Sequence, residues 1–188
     1  IEDKWLPQQR PAILEQYLNL STQHRQADLI IWPEAAIPDY LGQIDPSYMQ
    51  KLKREAEEYD TDFLIGIIEK TVSQSKSNTY NAVVSIGRDR GIYRKRHLVP
   101  FGEFLPFKPV LGWLIDYLHI PMSDFSSGPA EQKPLRAAGH EIGVSICYED
   151  AFGEELIDVL PAAEILVNVS EDAWFGNSLA PHQRVQMA

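Results

Sequence analysis

Cysteine, long apolar runs and clustered positive charge are all scarce in this chain of 188 residues. The single cysteine excludes an intrachain disulfide, and no uninterrupted apolar stretch approaches the roughly 18 residues expected of a membrane span. The formal net charge is -10, and the one dense basic cluster, residues 88–97, is short and interrupted. Because nucleic-acid affinity comes mainly from clustered Lys and Arg, we expect no nucleic-acid partner.

Motifs for metal or nucleotide binding are also missing from the sequence. His97 and His182 are too scattered for a metal-ligand spacing, and no glycine-rich phosphate loop is present. We therefore expect neither a metal nor a cofactor. The chain starts at Ile1 without a methionine and stops inside an expected helix, so we interpret it as a fragment of a longer protein that could also hold membrane segments.

What the chain does contain is an alternation of short apolar runs and amphipathic stretches. The apolar runs predict buried strands at residues 28–32, 63–68, 141–147 and 164–169. Helices are expected at residues 11–24, 45–58 and 151–160. Residues 73–78 predict a turn, and residues 80–94 predict an antiparallel hairpin after it. Strands alternating with helices predict an α/β layered domain.

The only thiol, Cys147, ends one of these expected strands and precedes the acidic stretch 148–150. A thiol on a strand-to-helix turn is placed like a nucleophile, because the helix dipole favours the thiolate. Taken alone, a cysteine at a strand end is more often a small buried hydrophobe. Whether Cys147 is a nucleophile therefore depends on partner residues elsewhere in the chain.

Two other strand ends offer the partners that such a thiol needs. Glu34 follows the strand that Pro33 breaks, and Lys95 follows the strand that ends at Arg94. Glu34 could take the thiol proton, while Lys95 could favour the thiolate and stabilise the oxyanion formed when sulfur attacks a carbonyl. Each residue alone also fits an ordinary solvated side chain. Together they predict acyl transfer through a thioester without a metal.

The strings around Glu34, Lys95 and Cys147 resemble the carbon–nitrogen hydrolase (nitrilase) superfamily, the last of them being residues 147–150. The resemblance is closer to one branch, the apolipoprotein N-acyltransferases of bacterial envelopes, on the evidence of residues 31–38, 95–106, 121–126 and 172–176. The superfamily's triad is Glu, Lys and Cys in this chain order. The resemblance covers nearly the whole chain. It implies an α/β fold, the nitrilase-like α-β-β-α sandwich, incomplete at the C-terminus, with residues 1–188 forming one such domain of a longer membrane protein.

The resemblance also implies roles for individual residues. Glu34 would be the general base, Lys95 the oxyanion-stabilising cation and Cys147 the acyl-accepting nucleophile. Glu103 matches a second carboxylate that orients the lysine, with a loop acid capping a turn as the alternative. Tyr148 and Glu149 match positions that support the nucleophile. Substrate-binding roles are implied for Trp5, Trp174 and Phe175. The alternatives are a helix N-terminal acid for Glu149 and simple packing for the three aromatic residues.

Two positions depart from the family pattern. Glu171 stands where the family more often has asparagine, and Arg184 stands where histidine is common. Neither belongs to the triad, so the departures bear on the tuning of the pocket rather than on activity.

The implied reaction moves a fatty acyl chain from a membrane phospholipid, through a thioester on Cys147, to the α-amino group of the N-terminal diacylglyceryl-cysteine of an apolipoprotein. The implied location is the bacterial inner membrane, with the domain on the periplasmic face. The apolar segment 104–125 would be an arm that meets the bilayer surface, since Lys108 and Asp116 argue against a true span. A loop packed on the domain's own core is the alternative.

Two rival functions stay open at the level of sequence. A soluble nitrilase-type amidase would use the same triad, and hydrophobic spans in the flanking sequence would distinguish an acyltransferase from it. A catalytically silent binding domain of the same fold is the second rival. The intact Glu34, Lys95 and Cys147 argue against that second reading.

Overall fold

The computed structural model describes residues 2–73, 76–104 and 124–187 and arranges their strands in two β-sheets. The first sheet holds β1 (Leu29–Ile31), β2 (Ile37–Tyr40), β3 (Asp62–Ser73), β4 (Lys76–Ile86) and β5 (Gly91–Arg94). The second holds β6 (Leu135–Ala137), β7 (His140–Ile146) and β8 (Ile165–Val169). The α-helices are α1 (Arg10–Thr22), α2 (Pro46–Tyr59), α3 (Gly153–Ile157) and α4 (Ala180–Met187). Short 3-10 helices cover Glu2–Trp5, Pro7–Gln9, Leu41–Gln43, Cys147–Ala151 and Asp172–Phe175.

The long antiparallel pair of β3 and β4 forms the centre of the first sheet. β1 and β2 pair with β3 in parallel, and β5 pairs with β4 in antiparallel fashion. In the second sheet, β7 pairs in antiparallel fashion with β6 and in parallel with β8. Helices lie on the connections between the parallel partners, since a parallel pair needs a long crossover.

The side chains of β3 divide between two hydrophobic cores. Phe63 and Ile65 pack in a core with Leu52 of α2, whereas Leu64 packs in a second core with Ile142 of β7. Successive residues of a strand point to opposite faces, so the first sheet lies between a helical layer and the second sheet. On the far face of the second sheet, a Cβ on Gly143 would meet side chains of the chain that follows α3. The expected α/β layering is therefore confirmed.

Local sequence explains how α2 forms. The carboxylate of Asp45 accepts a hydrogen bond of 2.7 Å from the backbone N–H of Ser47, and Pro46 occupies the first helical position. Tyr48, Leu52 and Ala56, spaced four residues apart, form its buried face. The helix expected at residues 45–58 is thus confirmed to within a residue.

Other expected boundaries are wrong in detail. Residues 151–160 do not form one continuous helix, since the chain passes from a 3-10 helix through Phe152 into the short α3. β4 begins at Lys76, inside the stretch expected to be a turn, because its backbone continues to pair with β3 as far as Ser73. β2 and β6 carried no clear sequence signal: both are short, and Pro38 lies within β2.

The apolar stretch interpreted as a membrane arm falls mostly on residues 105–123, which lie outside the described residues. Across the described ranges, no helix combines the length and the apolar character needed to cross a bilayer.

Candidate active site

Glu34 is held at the carboxyl end of β1 by a turn packed against β3. The backbone N–H of Trp32 donates to Leu64 O at 2.8 Å, which continues the pairing of the two strands into the turn. A Cβ on Gly66 would lie 2.1 Å from Pro33 O, so only glycine allows β3 to approach the turn this closely. The Glu34 side chain is thereby buried in the interior rather than displayed at the surface.

Lys95 directly follows β5, and its side chain is almost completely buried, with 1% exposed. Its backbone N–H donates to Asn81 O of β4 at 2.8 Å. Its ammonium Nζ lies 2.9 Å from Glu103 Oε1 and 3.6 Å from Glu34 Oε1. The structure thus brings Glu34, Lys95 and Glu103 together.

Asn81 is a polar residue of the site that the sequence did not reveal. Its side-chain N–H group donates to Glu34 Oε1 at 2.6 Å and to Glu103 Oε1 at 3.2 Å. It therefore contacts the same two carboxylate oxygens that face Lys95. Its position inside β4, where alternate residues point inward, is the only signal that could have suggested an interior role.

Glu103 is fixed by the loop that follows Lys95. The backbone N–H of Val99 donates to Glu103 Oε2 at 2.8 Å, while Oε1 faces Lys95. The Glu103 carbonyl in turn accepts the backbone N–H of Phe125 at 2.9 Å. The two ends of the apolar segment 104–125 therefore lie together beside Glu103.

The charges of this cluster shift one another's protonation. Burial raises the pKa of Glu34 above its ordinary value, against the opposing effects of Lys95 and of the Asn81 hydrogen bond. Burial alone would lower the pKa of Lys95, but the negative charges of Glu34 and Glu103 outweigh it and hold that pKa above its ordinary value. Lys95 therefore stays an ammonium, and Glu34 is the carboxyl group that takes up a proton more readily than usual.

Cys147 opens the 3-10 helix that follows β7 and has a φ of 53°, in the left-handed region. That conformation costs a residue other than glycine about 1 kcal/mol or more, and such strain concentrates at functional sites. An ionised Cys147 contributes to the raised pKa of Lys95, which places the thiol within electrostatic reach of the ammonium. The helix here is a 3-10 helix of five residues, so its dipole is weaker than that of the expected α-helix. Stabilisation of a Cys147 thiolate therefore depends more on the Lys95 ammonium than on the helix dipole.

Asn168 of β8 supports the strained turn and was also missed by the sequence analysis. Its side-chain N–H group donates to the carbonyl of Cys147 at 3.1 Å and to Ser145 Oγ at 3.0 Å. The Ser170 hydroxyl donates to Asn168 Oδ1 at 2.8 Å. These contacts fasten the nucleophile turn to the neighbouring strand.

Glu149 joins the Cys147 turn to the end of β5. Its carboxylate accepts hydrogen bonds from Ile146 N at 2.8 Å, from Arg96 N at 2.8 Å, from His97 N at 3.0 Å and from the Tyr93 hydroxyl at 2.9 Å. The contact with Ile146 is one half of a capping box. A helix N-terminal acid would explain only that half, so the remaining contacts make Glu149 a bridge between the two sheets.

An open cavity of about 430 Å³ lies beside the Cys147 turn. Tyr148, 41% exposed, forms part of its wall together with Phe152, whose ring meets Tyr148 edge to face and stacks on His97. Phe104 and Phe125, the two ends of the apolar segment, also line it. Aromatic rings thus form the wall of the cavity next to Tyr148.

The remaining residues singled out in the sequence lie near the start of the chain and after β8. Trp5, in the 3-10 helix Glu2–Trp5, and Phe175, in Asp172–Phe175, are 39% and 43% exposed. The Trp174 backbone lies in the same 3-10 helix as Phe175, but its side chain, like that of Arg184 in α4, is outside the description. Glu171, the other departure from the family pattern, donates its backbone N–H to Glu34 Oε2 at 3.1 Å.

Within the described part of the chain, no group of three or more His, Cys, Asp or Glu side chains is placed to hold a metal ion. The candidate reacting groups are a thiol, two carboxylates and an ammonium.

Two packed sheets bring the Cys147 turn within electrostatic reach of a buried glutamate–lysine pair, which is the composition of a candidate thiol site. The chain belongs to the carbon-nitrogen hydrolase family, whose sequence model matches residues 5–188. This membership confirms the superfamily resemblance drawn from the sequence strings.

Curated relatives show which members of the family this chain resembles. The chain is 45% identical over 188 residues to the apolipoprotein N-acyltransferase of Methylococcus capsulatus and 47% identical over 186 residues to that of Nitrosomonas europaea. These alignments cover 100% and 98% of this chain but 37% of each relative. The chain therefore spans little more than a third of the length of the relatives it matches, and the resemblance to that branch is confirmed over this span.

Solved structures agree on the fold. The chain resembles the carbon-nitrogen hydrolase from Helicobacter pylori G27 with a TM-score of 0.61 and 19% identity, covering 94% of this chain and 61% of that one. It resembles the C. elegans NitFhit protein with a TM-score of 0.65 and 17% identity, covering 89% and 43%. The similarity concerns architecture alone, and it confirms the nitrilase-like sandwich.

Proposed function

We propose that this domain carries the acyl-transfer site of an apolipoprotein N-acyltransferase. Cys147 accepts a fatty acyl chain from a phospholipid as a thioester and passes it to the α-amino group of a diacylglyceryl-cysteine. Glu34 acts as general base and Lys95 stabilises the oxyanion. The observation that carries the proposal is the buried Lys95 ammonium, held between Glu34 and Glu103 within electrostatic reach of the Cys147 thiol.

The distances favour a division of labour between the two carboxylates. Lys95 Nζ is closer to Glu103 than to Glu34, so Glu103 is the main counter-ion that orients the ammonium. Glu34 keeps a raised pKa despite the nearby positive charge. A base whose pKa approaches the working pH can both accept and return a proton, which a two-step reaction requires.

In the first half-reaction, Glu34 takes the proton of the Cys147 thiol and the sulfur attacks the ester carbonyl carbon of the phospholipid. The carbonyl oxygen becomes an oxyanion next to Lys95. When the ester C–O bond breaks, the departing alkoxide takes the proton back from Glu34. The products are the thioester on Cys147 and a lysophospholipid.

In the second half-reaction, the α-amino group of the lipidated cysteine attacks the thioester carbonyl. Glu34 takes a proton from the attacking amine, an amide bond forms and the C–S bond breaks. The departing thiolate then recovers its proton from Glu34. Water must be kept away until the amine arrives, because hydrolysis would release a free fatty acid.

The substrates are inferred from the relatives' name and from the apolar surroundings of the site. Phe104, Phe125 and Tyr148 line the cavity next to the turn that carries Cys147, where Arg96, His97 and Ser127 supply the polar part of the wall; the aromatic part suits a lipid chain better than a small polar amide. We propose that the segment 104–125 meets the surface of the bacterial inner membrane from its periplasmic side. Tyr148 and Glu149 support the nucleophile, whereas Trp5, Trp174 and Phe175 bind substrate.

The test uses the full-length protein in detergent or vesicles with a phospholipid of defined acyl chain. Peptide mass spectrometry should find a Cys147 adduct with the mass of that acyl group, which hydroxylamine releases as expected of a thioester. Adding a synthetic diacylglyceryl peptide should transfer the acyl group to its α-amine.

Cys147→Ala is the control that removes the adduct without adding bulk. A protein that forms no Cys147 acyl adduct with phospholipid but hydrolyses small amides would instead be an amidase of the same family.

A further inference from the structure

One ion pair outside the triad ties the start of the chain to the loop after β8. Lys4 and Glu171 form a salt bridge across 167 residues of sequence, and their side chains are only 14% and 18% exposed. Lys4 lies in the 3-10 helix Glu2–Trp5, and Glu171 immediately precedes the 3-10 helix Asp172–Phe175. The pair therefore joins two segments that both carry predicted substrate-binding aromatic residues.

Glu171 is fixed from three directions. Its backbone N–H donates to Glu34 Oε2 at 3.1 Å, and its Oε1 accepts the backbone N–H of Ala173 at 3.4 Å, which caps the following 3-10 helix. Its Oε2 pairs with Lys4. A side chain held at both oxygens leaves its own backbone little freedom to move away from Glu34.

The two oxygens of Glu34 are held by different parts of the molecule. Asn81 of β4 and Lys95, directly after β5, face Oε1, while Oε2 accepts the N–H of Glu171 from the loop after β8. A loop is more prone to local opening than a strand. The orientation of Glu34 therefore depends on how firmly that loop is held.

We propose that the Lys4–Glu171 ion pair is a tether that keeps the Glu171 N–H on Glu34 and so positions the base of the site. The inference rests on the proposed role of Glu34 as general base. Lys4 and Glu171 are positioning residues, because neither side chain touches a reacting atom.

The direction of the effect follows from the charges around Glu34. Lys95, Glu103 and Cys147 are the titratable groups around Glu34. Tyr17 of α1 lies near Glu171: burial raises the pKa of the Tyr17 hydroxyl, and the negative charge of Glu171 raises it further. The hydrogen bond from the Glu171 N–H lowers the pKa of Glu34. If the tether breaks and that bond is lost, the pKa of Glu34 rises further and the base is protonated over a wider pH range.

The test measures alkylation of Cys147 by iodoacetamide as a function of pH, using the full-length protein and peptide mass spectrometry. The sulfur attacks the methylene carbon, iodide leaves and Glu34 takes the thiol proton, so the low-pH fall in rate reports the protonation of Glu34. Lys4→Met removes the cation. Glu171→Asn removes the anion but keeps a side-chain oxygen that can cap Ala173.

Both variants should move the low-pH fall in rate to higher pH and slow alkylation on that side by about three- to tenfold, the factor that one hydrogen bond of ordinary strength represents. A simple effect of charge at a distance would move the two profiles in opposite directions, because one variant removes a positive charge and the other a negative charge. Opposite shifts, or no shift in either variant, would overturn the tether.

The exchanged pair, Lys4→Glu with Glu171→Lys, should restore at least part of the wild-type profile. Arg25→Met is the matched control: it breaks the 3.0 Å ion pair between Arg25 and Glu55, away from the site, and should leave the profile unchanged.

This readout is independent of the acyl donor. If the shifts appear but phospholipid leaves no adduct, the tether stands and the proposed acyl transfer fails. If Glu34→Gln leaves the wild-type profile unaltered, Glu34 is not the base, and the tether falls with that assignment.

Discussion

At the scale of single residues, Lys95 is a charged side chain in an almost completely buried position. An ammonium that is only 1% exposed must be compensated by its neighbours, and Glu103 and Glu34 lie within 2.9 and 3.6 Å of it. Breaking a buried ion pair by removing one partner costs more than the pair itself contributes, because a charge is left buried and unpaired. The site is therefore sensitive to the loss of this one side chain.

Replacing Lys95 by methionine should reduce the free energy of unfolding by about 3 kcal/mol near neutral pH. Without the ammonium, the already raised pKa of Glu34 rises further. A group whose pKa is raised in the folded state stabilises the fold at low pH and loses that contribution as pH increases. The deficit of the variant should consequently be larger at about pH 8 than at about pH 5, as measured by urea unfolding.

Lys51→Met on the exposed face of α2 is the control and should change stability by no more than about 0.5 kcal/mol. An equal deficit at both pH values would show that packing, rather than charge compensation, is what Lys95 contributes.

At the scale of elements, the position of Glu34 depends on the close approach of β3 to the turn after β1. Gly66→Ala would place a Cβ 2.1 Å from Pro33 O and 2.7 Å from Glu34 Cα, so the turn must move. We expect a loss of about 2–3 kcal/mol in unfolding free energy, together with slower formation of the Cys147 adduct.

Gly153→Ala makes the same chemical change where nothing lies within 4 Å of the new atom. Thermal unfolding of the two variants should therefore differ clearly. Similar melting temperatures would mean that the turn yields to the added methyl group.

The connection between the end of β5 and the nucleophile turn depends on Glu149. Glu149→Gln keeps the shape, but its NH2 group would face backbone N–H donors that need an acceptor. We expect a loss of about 2 kcal/mol in stability and a lower rate of Cys147 alkylation. Glu154→Gln, an exposed change a few residues away, should leave both unaltered. A Glu149 variant as stable and as reactive as wild type would remove the bridging role.

At the scale of the whole molecule, the proposed triad is divided between the two sheets. Glu34 and Lys95 follow strands of the first sheet, whereas Cys147 follows β7 of the second. Their relative position is set by the core between the sheets, where Leu64 is completely buried. Packing between the sheets is thus part of the geometry of the site.

Leu64→Ala and Leu52→Ala make a matched pair for this idea, since both residues are 0% exposed but belong to different cores. Each should cost about 3 kcal/mol in stability. Only Leu64→Ala should also slow Cys147 alkylation under conditions where both proteins remain folded. Equal alkylation rates would indicate that the inter-sheet core does not set the position of the thiol.

Much of this architecture is predictable from local patterns. Glu34, Lys95 and Cys147 were each found at a strand end, because apolar runs followed by proline or charge mark where strands stop. The cap of α2 was found because Asp45-Pro46 is a local signal. Such features depend on residues that are close in sequence.

What could not be predicted depends on residues that meet only in the folded chain. Asn81 touches Glu34 across 47 residues, and Glu149 reaches Tyr93 across 56. The residues next to Asn81 and Glu149 in the sequence do not indicate these contacts. The backbone contact of Glu171 with Glu34 is invisible for the same reason, since an N–H group carries no residue identity.

The division of the triad between two sheets has a consequence for how the protein comes into being. During synthesis, residue 95 and residue 34 emerge long before β7 and β8, and the bridge through Glu149 cannot close until the second sheet has formed. Before then, Cys147 has neither its left-handed turn nor a positive charge beside it, and it reacts as an ordinary thiol. Under the proposed mechanism, a nascent or misassembled chain would therefore not form the acyl thioester, since Cys147 would become reactive only once the fold is complete.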